Sequence, residues 1–342
     1  MMKKETYNNS IKFITLIIGL MMLLGCDILS ESLYYENPIG EMTDIGDPYL
    51  LKYNNMYYMY ATSIAGSGFL VWQSENLIEW DSGKIAFANS QQDERWATGD
   101  FWAPEVVEHN GTFYMVYSAR DYTGSLKMAI ATSDSPTGPF KDATVGLIDR
   151  PGSFIDGHIF IDDDGTPYLY YVEDNHENII DDKHISHIYV QEMTDDLLNV
   201  TGEPHFILEP DQAWENPDGD FQWNEGPFIV KHEDLYYLMY SANFYASSDY
   251  AIGYAVSDHP IGPFEKSESN PILSKDLENG ISGPGHNSVT VGLDDETLYA
   301  VYHIHTDSEN PSGDRRPAID RLYFEDGEMK IEGPTSDEQE LR

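Results

Sequence analysis

Five segments of the chain set a side chain capable of acid–base chemistry beside a backbone-bending Gly or Pro. They are Gly46-Asp47-Pro48, Ala103-Pro104-Glu105, Asp156-Gly157, Asn224-Glu225-Gly226-Pro227 and Gly285-His286. If these positions meet in space, they make a cluster of carboxyl groups with one imidazole. Like charges in a cluster raise one another's pKa, so a purely structural protein has reason to avoid the arrangement. Two carboxyl groups with separated pKa values, one keeping its proton and one ionised, are the apparatus for cleaving a glycosidic bond. Asp and Glu at strand ends also serve simply to cap turns. Recurrence at one repeat position sets this group apart from such caps.

The repeat that must position them is legible. Each acid heads an apolar run, a polar corner and a Tyr-rich return, the pattern of a β-hairpin. The fullest copy is WNEGPFIVKHEDLYYLMYS at 223–241; the others lie at 47–63, 103–119, 156–172 and 286–303. A further strand follows each of the first four, and two of these end in nearly the same text, Ser133-Asp134-Ser135-Pro136-Thr137-Gly138-Pro139-Phe140 and Ser257-Asp258-His259-Pro260-Ile261-Gly262-Pro263-Phe264. No segment holds a helical period. Five multi-strand units of one type predict an all-β chain folded as a single-domain, five-bladed β-propeller. A long β-sandwich gives no reason for near-identical hairpins. In a propeller the innermost strands all begin at one mouth of the channel, which brings Asp47, Glu105, Asp156, Glu225 and His286 together. Aligned on their tyrosines, Asp47 and Glu105 fall a residue or two out of step with Asp156 and Glu225. A one-residue slip reverses a side chain, so inward pointing demands bulges. Ring closure is expected to draw on residues 33–46, including Tyr34 and Tyr35, with a polar, frayed tail at 334–342.

The ends and the charge limit what the protein meets. Lys3 and Lys4 precede an apolar run from Phe13 to Leu24 that is too short for a stable span and ends in Leu24-Gly25-Cys26. This is the form of a secretory signal, and it resembles a bacterial lipoprotein signal in which Cys26 becomes the lipidated first residue. The expected organisation is a signal at 1–25, a short tether at 26–32, the propeller at 33–333 and the tail. The protein is then exported and anchored to a membrane through lipid only, at the periplasmic face or the cell surface. Cys26 is the only cysteine, so no intramolecular disulfide is available. A formal net charge of −41 repels nucleic acid and anionic surfaces. Twenty-four Tyr and six Trp supply flat apolar rings of the kind sugar-binding surfaces use, as β-rich cores do. No pattern sets an oligomeric state.

From about residue 40 to 327 the chain resembles glycoside hydrolase family 43. The resemblance rests on Gly46-Asp47-Pro48, Trp102-Ala103-Pro104-Glu105, Ile155-Asp156-Gly157-His158-Ile159-Phe160, Asn224-Glu225-Gly226-Pro227, Gly283-Pro284-Gly285-His286 and Tyr302-His303, in that order. It implies a five-bladed propeller acting on arabinose- or xylose-containing glycans with inversion. Asp47 would be the general base, Glu225 the general acid, and Asp156 the acid that tunes and orients Glu225. Trp102, Arg315 and Arg316 would meet the sugar, Arg315 and Arg316 being as well placed in sequence to close the last blade. The resemblance requires no cofactor, but allows a Ca2+ or Na+ ion in the central channel, bound partly through water at His286; a histidine that only hydrogen-bonds the acids fits equally. Asp162-Asp163-Asp164-Gly165 has no calcium-loop spacing and reads as a hairpin turn. The apolar neighbours of Glu225, namely Trp223, Pro227 and Phe228, would raise its pKa. Exo action is favoured because the third unit carries Asp156-Gly157 where the family's endo-arabinanases are associated with Asp-Pro. An α-L-arabinofuranosidase is preferred to a β-xylosidase, with an endo-arabinanase or an inactive glycan-binding propeller as alternatives. The loops 173–187 and 209–222 are expected to shape the rim.

Overall fold

A computed structural model describes residues 32–342. It contains five four-stranded antiparallel sheets, one per repeat; four are built from strands consecutive in sequence, and in the third the short strands Ile179–Ile180 and Lys183–Ile185 leave the blade between its second and third strands. The innermost strands are Gly46–Tyr53, Ala97–His109, Phe154–Ile161, Asn224–His232 and Gly285–Val291. Each pairs with the next strand of its own blade, whose β-branched and aromatic residues suit a sheet buried on both faces. In Leu235–Ala242 all but the first residue are buried, and in Pro167–Glu173 all but the last. Tyrosines fill the space between blades: Tyr57, Tyr60, Tyr117, Tyr170, Tyr171, Tyr237, Tyr240 and Tyr302 are among the largest fully buried side chains. Their hydroxyl groups find acceptors, as buried phenols must. Tyr237 donates to Gly327 carbonyl at 2.9 Å, and Tyr302 to the Asp320 carboxylate at 2.5 Å. Residues 162–165 form a hairpin turn, with Asp162 held by Tyr236 and Lys231 of the next blade.

Two expectations about the ends need correction. The fifth blade is complete from Gly285 to Ile331, with no N-terminal strand in it. Residues 37–45 run instead beside its third strand, Ile39 and Ile45 donating to the carbonyls of Pro317 and Arg315. The tail is not frayed. Thr335 binds Asp320, Leu341 is buried, and Arg342 exchanges hydrogen bonds with Leu293 and Tyr299. Its polar composition hid one apolar anchor and a set of main-chain partners. Among the described residues no helix is long and apolar enough to cross a membrane. Cys26 and the proposed signal lie outside the described residues.

The two rim loops make a small sheet of their own. Ile179–Ile180 pairs with Lys183–Ile185, which runs parallel to Phe221–Gln222. Glu215, fully buried, anchors the second loop: it pairs with Lys266 at 2.8 Å and accepts from Tyr240 at 2.7 Å. That bond set fixes the chain just before Asn224 and Glu225.

Candidate active site

Each innermost strand carries an extra residue at the equivalent point, and Ala97–His109 has two further irregularities ahead of it. Strand pairing skips between Gly46 and Tyr49, Trp102 and Glu105, Ile155 and His158, Glu225 and Phe228, and Gly285 and Ser288. The bulged residues are Asp47, Ala103, Asp156, Gly226 and His286, all left-handed, with φ between 44° and 57°. Asp, Gly and His are among the residues that tolerate this region best. A bulge re-aims the side chains around it, so the bulged residue and the one before it both reach the channel mouth. Asp47, Asp156 and His286 arrive by the first route; Trp102, Ile155 and Glu225 by the second. At that preceding position the other two blades have glycine. A Cβ on Gly46 would lie 1.9 Å from Arg315 Cζ, and one on Gly285 would lie 2.2 Å from the Tyr250 ring. Arg315 and Tyr250 occupy the space those glycines leave.

Glu105 does not join the cluster. It sits two residues past its bulge, in a layer below, where its Oε2 meets His158 Nδ1 at 2.7 Å. His158 packs on Phe228 at 4.3 Å between ring centres, and Phe228 approaches Tyr49. This layer lies beneath the acids.

The bulges also make a belt of hydrogen bonds between blades. The N–H of Ala103 donates to Thr62 Oγ1 at 2.8 Å, that of Asp156 to Ser118 Oγ at 3.1 Å, and that of His286 to Ser241 Oγ at 2.7 Å. The N–H of Asp47 closes the ring onto His303 Nδ1 at 3.1 Å. Each acceptor stands on the second strand of the preceding blade, opposite the residue before that blade's bulge. In the third blade this register position holds Val172, opposite Ile155. Valine has no acceptor, and the Gly226 N–H donates to Asp156 Oδ2 at 3.0 Å instead.

The three acids have different electrostatic surroundings. Burial is the largest single influence on Asp47 and would raise its pKa, but Arg315, His286, His303 and the Thr62 hydroxyl together outweigh it, and the carboxyl is held far below its usual range. Arg315 Nη1 lies 2.8 Å from Asp47 Oδ1, and Thr62 donates to Oδ2 at 2.5 Å. Glu225 is pushed well above the usual glutamate value, first by burial, then by Asp156 and more weakly by Asp47; a 2.7 Å hydrogen bond from Tyr250 opposes the rise. Asp156 is raised to about 6, mainly by burial, with His286 and the Gly226 N–H resisting. One carboxyl group is thus kept ionised and one kept protonated across one pocket. His303, which accepts the Asp47 N–H on Nδ1, is kept neutral by burial and then by Arg315.

A 340 Å³ pocket stands over these groups. Its walls include Trp102 and Arg120, then Asn175 and His176 from the first rim loop, Trp223, and Phe244 with Tyr245. Arg120 lies over the Trp102 ring at 6.0 Å, and Arg315 over Tyr245 at 4.8 Å. Trp102, Arg315 and His286 line this pocket. Arg316 does not: its guanidinium binds the carbonyls of Gly40 and Met42, because alternation along the strand turns it from Arg315's face. His286 Nδ1 faces Asp47 Oδ1 at 3.4 Å. Among the described residues no His, Cys, Asp and Glu side chains are grouped to hold a metal ion. The residues described do not form a direct cage for a Ca2+ or Na+ at His286. Tyr250, Thr62, Arg120 and Asn175 were not singled out from sequence. Only Tyr250 left a trace, through the glycine at 285 that makes room for its ring.

Residues 35–329 match the family model described as Glycosyl hydrolases family 43. A solved structure of a thermostable family-43 glycoside hydrolase is 57% identical, with a TM-score of 0.88 over 90% of this chain and 98% of that one. A β-D-galactofuranosidase of Aspergillus niger is 28% identical over 83% of this chain and 81% of its own length. An extracellular exo-α-(1→5)-L-arabinofuranosidase of Streptomyces avermitilis is 25% identical over 90% of this chain and 65% of its own.

Proposed function

The chain belongs to glycosyl hydrolase family 43, and from that premise we propose that it is an inverting, exo-acting glycosidase that removes α-L-arabinofuranosyl or β-D-xylosyl residues from neutral glycans, the arabinofuranosyl activity first. The carrying observation is the opposed electrostatics of two pocket carboxyl groups, Asp47 held ionised by Arg315 and Glu225 held protonated by burial and Asp156. Two furanoside-cleaving relatives support the sugar class, the galactofuranosidase and the arabinofuranosidase. A pocket walled by both rim loops and by Phe244 and Tyr245 supports action at a chain end. The export signal and the lipid anchor at Cys26 belong to the same proposal, as the form in which such an enzyme meets polymeric substrate.

In this reading Asp47 takes a proton from water as the water oxygen bonds to the anomeric carbon. Glu225 gives its proton to the glycosidic oxygen as the old bond breaks. A carboxylate as weak as Asp47 suffices because water attacks a centre with oxocarbenium character. Glu225 becomes an anion only as the leaving oxygen accepts the proton, and Tyr250 is placed to donate to that anion. Asp156, oriented by the Gly226 N–H, sustains the proton on Glu225 between turnovers.

Hydrolysis of aryl α-L-arabinofuranoside and aryl β-D-xyloside, followed by NMR of the first-formed anomer, tests the reading. The expected result is cleavage with inversion, lost on Glu225→Ala except with the best leaving groups. Wild type and Glu225→Ala equally inert on these substrates and on arabinan would overturn the enzyme reading. Equal activity in both would remove Glu225 from its role.

A further inference from the structure

A second, larger cavity of 720 Å³ adjoins the pocket over the acids. The two share Trp223 and Phe244 as a common wall. That wall belongs to an aromatic series created by the rim sheet. His184 stacks on Phe221 at 4.5 Å and 14°, Phe221 on Trp223 at 6.1 Å and 20°, and Trp223 meets Phe244 at 5.4 Å. Phe221 is 50% exposed and Phe244 43%. Large apolar rings are left open here, where a fold governed by stability alone would cover them. Beyond the wall the cavity offers Trp214 with the short polar side chains of Ser248 and Ser274, and its two charged lining residues, Asp249 and Lys275, are paired with each other at 2.5 Å. Rings edged by neutral hydrogen-bonding groups suit a sugar. The rim strands and their neighbours bear Asp181, Asp182, Asp218 and Asp220, all exposed, against Lys183, and that charge disfavours a uronate-bearing chain.

We propose that this cavity is a second glycan site, which grips a neutral pentose chain two or more residues beyond the scissile bond, the chain crossing the Trp223–Phe244 wall. The inference rests on the glycosidase reading above for the position of the scissile bond. It assigns the rim sheet a purpose, since that sheet adds nothing to the five blades and yet fixes Phe221 beside Trp223. The grip adds affinity remote from the reacting atoms and so lowers KM with little change in kcat.

The test measures kcat/KM against chain length, with neutral arabino- and xylo-oligosaccharides from two to five residues, together with aryl pentosides that end short of the cavity. Ser248→Tyr fills the cavity from one side and Ser274→Tyr from another, and aryl-pentoside activity reports that each variant is folded. Wild type is expected to gain about tenfold in kcat/KM between two and four residues, through KM. Either variant is expected to lose that gain while aryl-pentoside hydrolysis stays within about twofold. Glucuronate-substituted xylo-oligosaccharides should show no gain. A flat length dependence in wild type, or variants that lose aryl and long-chain activity alike, would sink the proposal. If wild type cleaves no pentoside, the function above falls. Calorimetric titration with the pentasaccharides then decides the cavity: saturable heat in wild type that vanishes in both variants keeps the site, and its absence or persistence removes it.

Discussion

Replacing Tyr250 with Phe deletes one oxygen from the site. The ring stays: it lies parallel to His303 with 5.5 Å between centres and fills the space that Gly285 leaves. What goes is the 2.7 Å hydrogen bond to Glu225 Oε1. Burial holds the Tyr250 phenol well above its ordinary pKa, so it remains a donor throughout the working range. A hydrogen bond to a charged partner contributes about 1.5–3 kcal/mol. It favours the ionised acceptor, and one pKa unit corresponds to about 1.4 kcal/mol. Its loss should therefore raise the Glu225 pKa by roughly one to two units beyond its already elevated value. In the proposed mechanism the active form has Glu225 protonated, so the alkaline limb of the kcat profile would be set by this group and should move up by roughly one to two pH units. The plateau should fall, because Glu225 becomes a weaker acid and its anion loses the donor that receives it. The assay is a full pH profile of kcat on two aryl α-L-arabinofuranosides, one with a good and one with a poor leaving group. The plateau loss should be larger for the poor leaving group, which needs the proton more. An alkaline limb that stays in place or moves down would refute the assignment of Tyr250 and Glu225 together.

Arg315→Met strands the Asp47 carboxylate, whose counter-charge lies 2.8 Å away with both side chains largely buried. Breaking a buried pair from one side costs about 3–5 kcal/mol, so calorimetry should show the melting temperature lower by roughly 10 °C. The acid limb of kcat/KM should rise as Asp47 loses the partner that depresses its pKa, and Arg315→Lys should restore part of both. Val172→Thr adds the acceptor that the third blade lacks. Its hydroxyl competes with Asp156 for the Gly226 N–H, as Thr62, Ser118 and Ser241 take the corresponding donors elsewhere. Asp156 should then keep its proton above its present pKa of about 6 and press less on Glu225. The alkaline limb should move down, against no shift in Val172→Ile, both read from kcat–pH profiles.

The order of the strands was legible because each blade is a run of local antiparallel pairs. The acids were legible as a group because the same bulge recurs at each strand start, visible as Gly or Pro beside Asp47, Asp156 and Glu225. The bulge register was not. It decides that Ala103 rather than Glu105 occupies the ring, and so sends Glu105 down to His158. The same limit applies to Arg315 and Arg316, adjacent in sequence and on opposite faces of one strand. The tail misled because a polar text can still be tied down by main-chain groups and one buried leucine, Leu341.

The sequence by itself determined the repeat, the blade order and which three acids are available, since these follow from local patterning and from residue type. Tertiary structure alone decided the chemistry each acid can perform. Asp47 is ionised because Arg315 arrives from the last blade, and Glu225 is protonated because burial and Asp156 of the preceding blade act on it. A pKa is set by neighbours in space, and in a ring of blades the neighbours that matter come from distant parts of the chain.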